Sequence, residues 1–187
     1  EGSNVLAEIR GGELAGILDF RDRFVQDYIH DLNQWTADLM NTVNDIHRQG
    51  VDLNGSPGQA FFIPAHAVDP VTADQDPSLH IKVGLQHPAQ IAASALVDDN
   101  GDVVVGNGEI ALELAQLRHT PIDHAGNTIG SYFNAIVSKI GVDALEGNSM
   151  VNNGDALINH LENMREAVSG VNLDEEMADM IRFQHAY

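Results

Sequence analysis

The sequence predicts a mainly α protein, an elongated antiparallel helical bundle or coiled coil that carries a small mixed α/β insertion. Three observations predict it. Residues 12–49 contain no proline and place Leu14, Leu18, Val25, Tyr28, Leu32, Trp35, Leu39, Val43 and Ile46 at helical intervals, which puts them on one side of a helix. Residues 127–169 carry a second such stripe: Ile129, Phe133, Ile136, Ile140, Ala144, Met150, Val151, Leu157, Leu161, Met164 and Val168. Between the two, residues 59–125 differ in composition and read as short helices, short strands and turns. At 1.5 Å per residue the first helix would be roughly 55 Å long. A stripe of that length needs a partner of similar length.

Taken in order, Val5, Ala7 and Ile9 alternate with Leu6, Glu8 and Arg10, a strand-like lead-in. Gly11-Gly12 breaks it, and Glu13 suits the positive end of the first helix dipole. Asp22, Gln26, Asp27, Asp31, Asn33, Asp38 and Asp45 are expected to face away from the stripe. Gly50 ends the helix, with His47 and Arg48 in the last turn, where positive charge is favoured. Residues 51–58 are dense in turn formers, so 1–58 and 126–187 are expected to form one discontinuous rod domain and 59–125 an inserted domain. Within the insertion, 64–78 reads as loop around Pro64, Pro70 and Pro77, 79–85 as a strand, and 88–95 as a short helix opened by Pro88. Residues 98–102 form a turn, 103–105 a β-branched strand, and Ile110, Leu112, Leu114 and Leu117 a helix over 109–118.

Asn127 is the expected cap of the second long helix. Gly147, Asn148, Asn152, Asn153 and Gly154 weaken its middle, and it is expected to run on, continuous or kinked. Ser169-Gly170 stops it. Asn172 then caps a last helix, with Glu175 in capping-box position and Leu173, Met177, Met180 or Ile181, and Gln184 on its apolar side. That helix is expected to reach Tyr187 without a C-cap, and with Glu1 in place of Met the chain reads as cut from something longer.

In the simplest packing the two long helices lie antiparallel, the insertion closes one end, and each stripe covers the other. The residues expected to carry helix packing and assembly are Leu18, Val25, Leu32, Trp35, Leu39, Phe133, Ile136, Leu161, Val168, Asn172, Leu173 and Met177. Burial of aliphatic side chains at ~1.5–3 kcal/mol each is largely cancelled by ordering the backbone, so two helices alone are marginal. The third helix, and further chain beyond it, completes the bundle.

Composition removes several function classes. Nine basic against 28 acidic residues give a formal charge of −19, which argues against a nucleic-acid or anionic-membrane partner. The absence of cysteine excludes disulfides, thiolate catalysis and cysteine-held zinc. No apolar run approaches the ~20 residues that span a bilayer. The nine histidines include no His-Glu-x-x-His and no helical pair, and His119 and His124 flank Pro121 and Asp123 in a poor metal template. Asp98, Asn100, Asp102 and Glu109 occupy positions 1, 3, 5 and 12 of a calcium loop, but Val103 stands where glycine is needed, so a turn is favoured. No phosphate loop, dinucleotide fingerprint or nucleophile elbow occurs. No catalytic residue, metal ligand or cofactor is assigned.

Two stretches go further. Residues 11–22 (GGELAGILDFRD) continue into Val43-Asn44-Asp45-Ile46-His47-Arg48-Gln49-Gly50 and Phe61-Phe62. Residues 168–187 read VSGVNLDEEMADMIRFQHAY. Together they resemble the hook-associated protein 1 family of the bacterial flagellum, the hook–filament junction proteins. The likeness covers 1–62 and 127–187, and the middle matches only loosely, as in Gln90-Ile91-Ala92-Ala93-Ser94. The later stretch is shared in part by other axial flagellar proteins. The resemblance implies a non-catalytic structural subunit, exported through the flagellar channel without a cleaved signal and located outside the cell. Its implied partners are the hook protein, the second junction protein, further copies of itself in a ring and, for the full-length protein, an export chaperone. The implied terminal coiled-coil segments lie outside this chain, which is therefore expected to be a soluble monomer. The alternatives are another axial flagellar protein, a ligand- or calcium-binding module in 59–125, or an enzyme borne by a variable region.

Overall fold

A computed structural model describes residues 11–64, 70–95, 104, 106–123, 125–169 and 173–186. It is mainly helical with one small two-stranded antiparallel sheet. The first helical run is α1 (Gly12–Asp19), a π-helical turn (Phe20–Phe24) and α2 (Val25–His47). The Val25 N–H reaches back to the Phe20 carbonyl, five residues away. This wider turn rotates everything upstream by roughly one residue's worth of helix, about 100°. The stripe expected from Leu14 to Ile46 is therefore not one straight line: Leu14, Ile17 and Phe20 are exposed while Leu18 is half-buried. Two exposed arginines lie within the turn, Arg21 bidentate on Asp22 and Arg23 bidentate on Asp19.

The buried side of α2 is Asn33, Thr36, Ala37, Met40, Asn44, Ile46 and His47. Asn33, expected to face away, is only 3% exposed. The reason is that the insertion lies along α2 instead of closing its end, and α2 supplies the hydrogen bonds its loops lack. Asn41 donates to the Val71 carbonyl (2.8 Å) and accepts the Val71 N–H (2.9 Å). Asn44 does the same for Phe62, at 2.8 and 2.9 Å. Asn33 accepts from the Ser78 N–H and hydroxyl and donates to Asp76. His47, fully buried, accepts the Ala92 N–H at Nε2 (2.9 Å), so its hydrogen sits on Nδ1 and is donated to the Gln59 carbonyl (2.6 Å). His47 thus acts as a neutral bridge and not as the dipole-compensating cation expected of it.

Under this polar ladder sit two small cores. One packs Ala37, Met40 and Val71 with Phe62 and Ile81; the other packs Ile46, Ile110 and Leu117 with Val43, Leu114 and Ile129. The sheet pairs β1 (Phe62–Ile63) with β2 (Lys82–Val83), Phe62 opposite Val83. The strand expected over 79–85 shrinks to β2 because α3 (Pro77–His80) takes its first residues. Pro77 at the first turn favours a helix start, and Asp76 before it adopts φ 48°. The loop expected over 64–78 also contains a 3₁₀ turn, Ala73–Gln75.

The helix expected over 88–95 is only a 3₁₀ turn, Pro88–Gln90. Beyond it the chain runs extended so that Ala92 can reach His47 and Ser94 can bridge Val51. The helix expected over 109–118 is α4 (Glu109–Gln116). The expected lead-in at 1–10 and turn at 98–102 lie outside the described residues. Of the expected strand at 103–105 only Val104 is described, and it is in no strand.

α5 (Ile129–Ser169) is continuous through 147–154. Its cap is Thr128, one residue after the expected Asn127: the Ser131 N–H bonds Thr128 Oγ1 (3.2 Å) and the Thr128 N–H bonds Ser131 Oγ (2.9 Å), a reciprocal cap. Asn127 instead gives its N–H and its side-chain amide to the Asp123 carboxylate, both at 2.7 Å. α6 (Leu173–His185) stops short of the last residue. The contacts divide the chain into two compact units, Glu1–Lys139 and Ile140–Tyr187. The first holds both cores. In the second, the described side chains are exposed apart from half-buried Asp143.

Two substitutions test the clamp along α2. Asn44→Ala strands both polar groups of Phe62 and is expected to cost about 1–3 kcal/mol in urea unfolding. At Gly58 an added Cβ would lie 1.9 Å from the His47 carbonyl oxygen; Gly58→Ala is expected to cost roughly 1–3 kcal/mol by the same measurement.

Candidate assembly interface

The residues expected to carry packing and assembly fall into two environments. In the first unit Leu18, Val25, Leu32, Trp35 and Leu39 are half-buried. The Trp35 Nε1–H donates to the Ile129 carbonyl (3.0 Å), and its ring tilts onto Phe133 with centroids 5.4 Å apart. Ile136 is 6% exposed and Phe133 43%. One turn on, Lys139 pairs with Asp31 at 2.7 Å and lies 5.9 Å from the Tyr28 ring. Contacts that step from 35 to 31 on α2 and from 133 to 139 on α5 mark an antiparallel approach. Indole, ring and ion pair together hold the first turns of α5 against α2.

The second unit is different. Leu161 is 54% exposed, Val168 89% and Met177 57%. Ile140, Met150, Leu157 and Met164 on α5 and Met180 and Phe183 on α6 are exposed as well. Asn172 lies outside the described residues, and Leu173 is the first residue of α6. Exposed apolar side chains repeated along two helices amount to far more than the scattered singles usual on a surface, and such patches mark contacts with other macromolecules. A second apolar feature belongs to the first unit: a groove of about 640 Å³ lined by Leu39, Val43, Phe61, Phe62, Leu114 and Leu117.

Among the described residues no three His, Asp or Glu side chains stand close enough to hold a metal. Of the calcium-loop residues, Asp98, Asn100 and Asp102 lie outside the described residues, and Glu109 opens α4. His124 also lies outside them. Among the described residues no helix is long and apolar enough to cross a membrane. The residues that sequence reasoning missed are Asn33, Asn41, Asn44 and His47. A signal was present: they recur on one helix side at steps of eight, three and three, among residues that a hydrophobic stripe passes over.

Two carboxylates brace local turns of the first unit. At Asp123 the Asn127 side-chain amide, then its backbone N–H, hold the carboxyl below its ordinary value of 3.8. At Asp52 the Ser56 N–H, seconded by Asn54, does the same.

Comparison with known proteins places these surfaces in context. Residues 1–62 match the flagellar hook-associated protein FlgK helical domain. The chain is also similar to flagellar hook-associated protein 1 of Bacillus subtilis (strain 168), with 26% identity over 170 residues. That alignment takes in 86% of this chain and 31% of the relative, so the chain spans under a third of the relative's length.

The braced carboxylates predict acid sensitivity. A carboxylate whose folded pKa is depressed stabilises the fold above its unfolded value and loses that contribution as pH falls through the folded one. Stability is therefore expected to drop as pH is lowered below 3.8. Asp123→Asn is expected to flatten the drop in urea midpoints measured between pH 5 and pH 2.

Proposed function

We propose that this chain, similar over residues 1–62 to the flagellar hook-associated protein FlgK helical domain and along most of its length to a flagellar hook-associated protein 1, is a structural protein that works at the junction between hook and filament, outside the cell, and does no chemistry. Its role is mechanical. The first unit is a braced block, in which the ladder on α2 fixes the insertion and the Trp35 and Lys139 contacts fix the start of α5. The second unit presents helices whose apolar side chains wait for neighbours. The observation that carries the proposal is this exposed apolar run on α5 and α6, which a chain acting alone would bury.

Its neighbours are then other axial components: the hook protein, the second junction protein and further copies in a ring, met after export through the flagellar channel without a cleaved signal. An export chaperone would cover the same kind of helical surface before assembly. Coiled-coil contacts between neighbours suit helices of this length. A ring of such blocks could seat a stiff filament on a curved hook because each block is rigid and each contact is a replaceable helix face.

The test separates folding from assembly. The natural-length gene carrying Leu157→Asp and Leu161→Asp is placed in a strain that lacks the junction protein. Both residues are exposed, so the purified variant is expected to keep its helix content by circular dichroism and its melting temperature. Swimming and filament attachment are expected to be lost. Normal swimming would contradict the proposal.

A further inference from the structure

We infer that Asn54 is a site of self-modification, at which the Gly55 nitrogen attacks the asparagine side chain and the isoaspartyl link that results loosens the clamp at His47. The inference is independent of the proposed function and needs no partner. The sequence holds four asparagine–glycine pairs, at 54–55, 100–101, 107–108 and 153–154. A glycine after asparagine leaves the attacking nitrogen unshielded, because no Cβ stands beside it. The pairs are alike in sequence, so the fold decides which of them reacts. The pair at 100–101 lies outside the described residues.

The chemistry is intramolecular. Hydroxide from the solvent takes the Gly55 amide proton, and the nitrogen bonds Cγ of Asn54. The Cγ–Nδ2 bond breaks, and Nδ2 takes up a proton from water and leaves as ammonia. The ring that remains is a succinimide. Water then opens it at either carbonyl carbon. Opening at Cγ gives aspartate. Opening at the backbone carbonyl gives isoaspartate, in which the main chain runs through Cβ. The net change is amide plus water to acid plus ammonia, with no oxidant or reductant.

Geometry separates the described pairs. Asn153 and Gly154 lie inside α5. A helical backbone holds each amide N–H on the carbonyl four residues back, away from the preceding side chain. Asn107 is half-buried, and its Oδ1 accepts the Ala95 N–H (3.1 Å), the Glu109 N–H (3.3 Å) and the Ser94 hydroxyl (3.3 Å). Those bonds pin its Cγ. Asn54 is exposed, in a turn whose Gly55 N–H is held by the Asp52 carbonyl at 3.0 Å. Its side-chain amide makes a 3.3 Å bond to Asp52 Oδ2. Opening this exposed turn frees nucleophile and target together.

The loop has no slack to absorb the product. The Asp52 N–H bonds the Ser56 carbonyl and the Gly58 N–H bonds the Gly50 carbonyl, both at 2.8 Å. Gly58 has no room for even a Cβ against the His47 carbonyl. The next residue, Gln59, supplies the carbonyl that takes the His47 Nδ1 hydrogen. An extra backbone carbon at 54 therefore pushes on Gln59. Charge adds to the strain, since a carboxylate at 54 faces the Asp52 carboxylate that had accepted the lost amide.

The natural-length protein is held folded at mildly alkaline pH for weeks and then cut with trypsin. The peptide 49–82 has Asn54 as its one asparagine, and the peptide 140–165 carries Asn153. Isoaspartate is located in each by mass spectrometry. It is expected to accumulate roughly tenfold faster at 54 than at 153, because only the helix must open locally over several turns. In urea the two rates are expected to converge. Equal rates in the folded protein would overturn the assignment, as would faster conversion at 107 or 153. A lead for 54 that persists in urea would trace it to sequence and overturn the argument from the fold. Hydrogen exchange at 59–62 and 92–95 is expected to rise in the aged protein. In Asn54→Gln, whose longer side chain closes its ring far more slowly, it is expected to stay level. Unchanged exchange in protein converted at 54 would sink the link to His47.

Discussion

The structure depends on side chains of one helix standing in for backbone partners. Loops such as 59–64, 71–78 and 91–94 carry N–H and C=O groups that neither the short sheet nor a helix can satisfy. Leaving such groups unpaired under a covering helix costs about 1–3 kcal/mol apiece. Asn41 and Asn44 each satisfy one donor and one acceptor of the same residue, Val71 and Phe62. An amide side chain offers the donor and acceptor of a peptide group side by side, so each asparagine acts as a one-residue strand partner. His47 does the same with its two ring nitrogens across two separate loops. With those groups met, small cores around Met40 and Ile46 suffice to hold the insertion, and a two-residue sheet is enough.

This arrangement divides the labour of the chain. The first unit spends its polar side chains inward, on its own loops, and becomes a block with a defined start for α5. The second unit turns its apolar side chains outward. Leu161 and Met177 would be poor choices on a helix meant to face water. In the proposed role they suit a helix that meets others, because apolar contact between helices needs no precise pairing. In the role proposed above, rigidity in one part and adhesiveness in the other are complementary properties.

How far the fold was legible follows the range of the forces involved. The long helices were legible because helical periodicity is local, and every turn repeats the same evidence. The small helix at 109–116 was legible for the same reason. The strand at 79–85 was misread in part, because Pro77 and the capture of Ser78 by Asn33 pull its start into a helical turn. The turn at 88–90 was read as too long a helix, because Ala92 is called away to His47. The π turn at Phe20–Phe24 was invisible, since a single extra residue in one turn leaves no trace in a stripe of uneven steps. The polar face of α2 was taken for a solvent face because asparagine looks the same in both places until its partner is known.

By itself the sequence determined the helical class, the two long stripes, the strongly acidic balance, the absence of cysteine from these 187 residues, and a likeness to the flagellar junction proteins. Each of these is a property of composition, of local spacing or of a contiguous string. Only the tertiary structure decided that Asn33, Asn41, Asn44 and His47 clamp the insertion, that Thr128 and not Asn127 caps α5, and that the seam of α5 is engaged at Phe133 and exposed at Leu161. Apart from the Thr128 cap, which is closed three residues on, those facts concern groups that meet across 12 or more residues of chain. Hydrogen-bond partners at that distance are chosen by the folded backbone as a whole, and no local spacing encodes them.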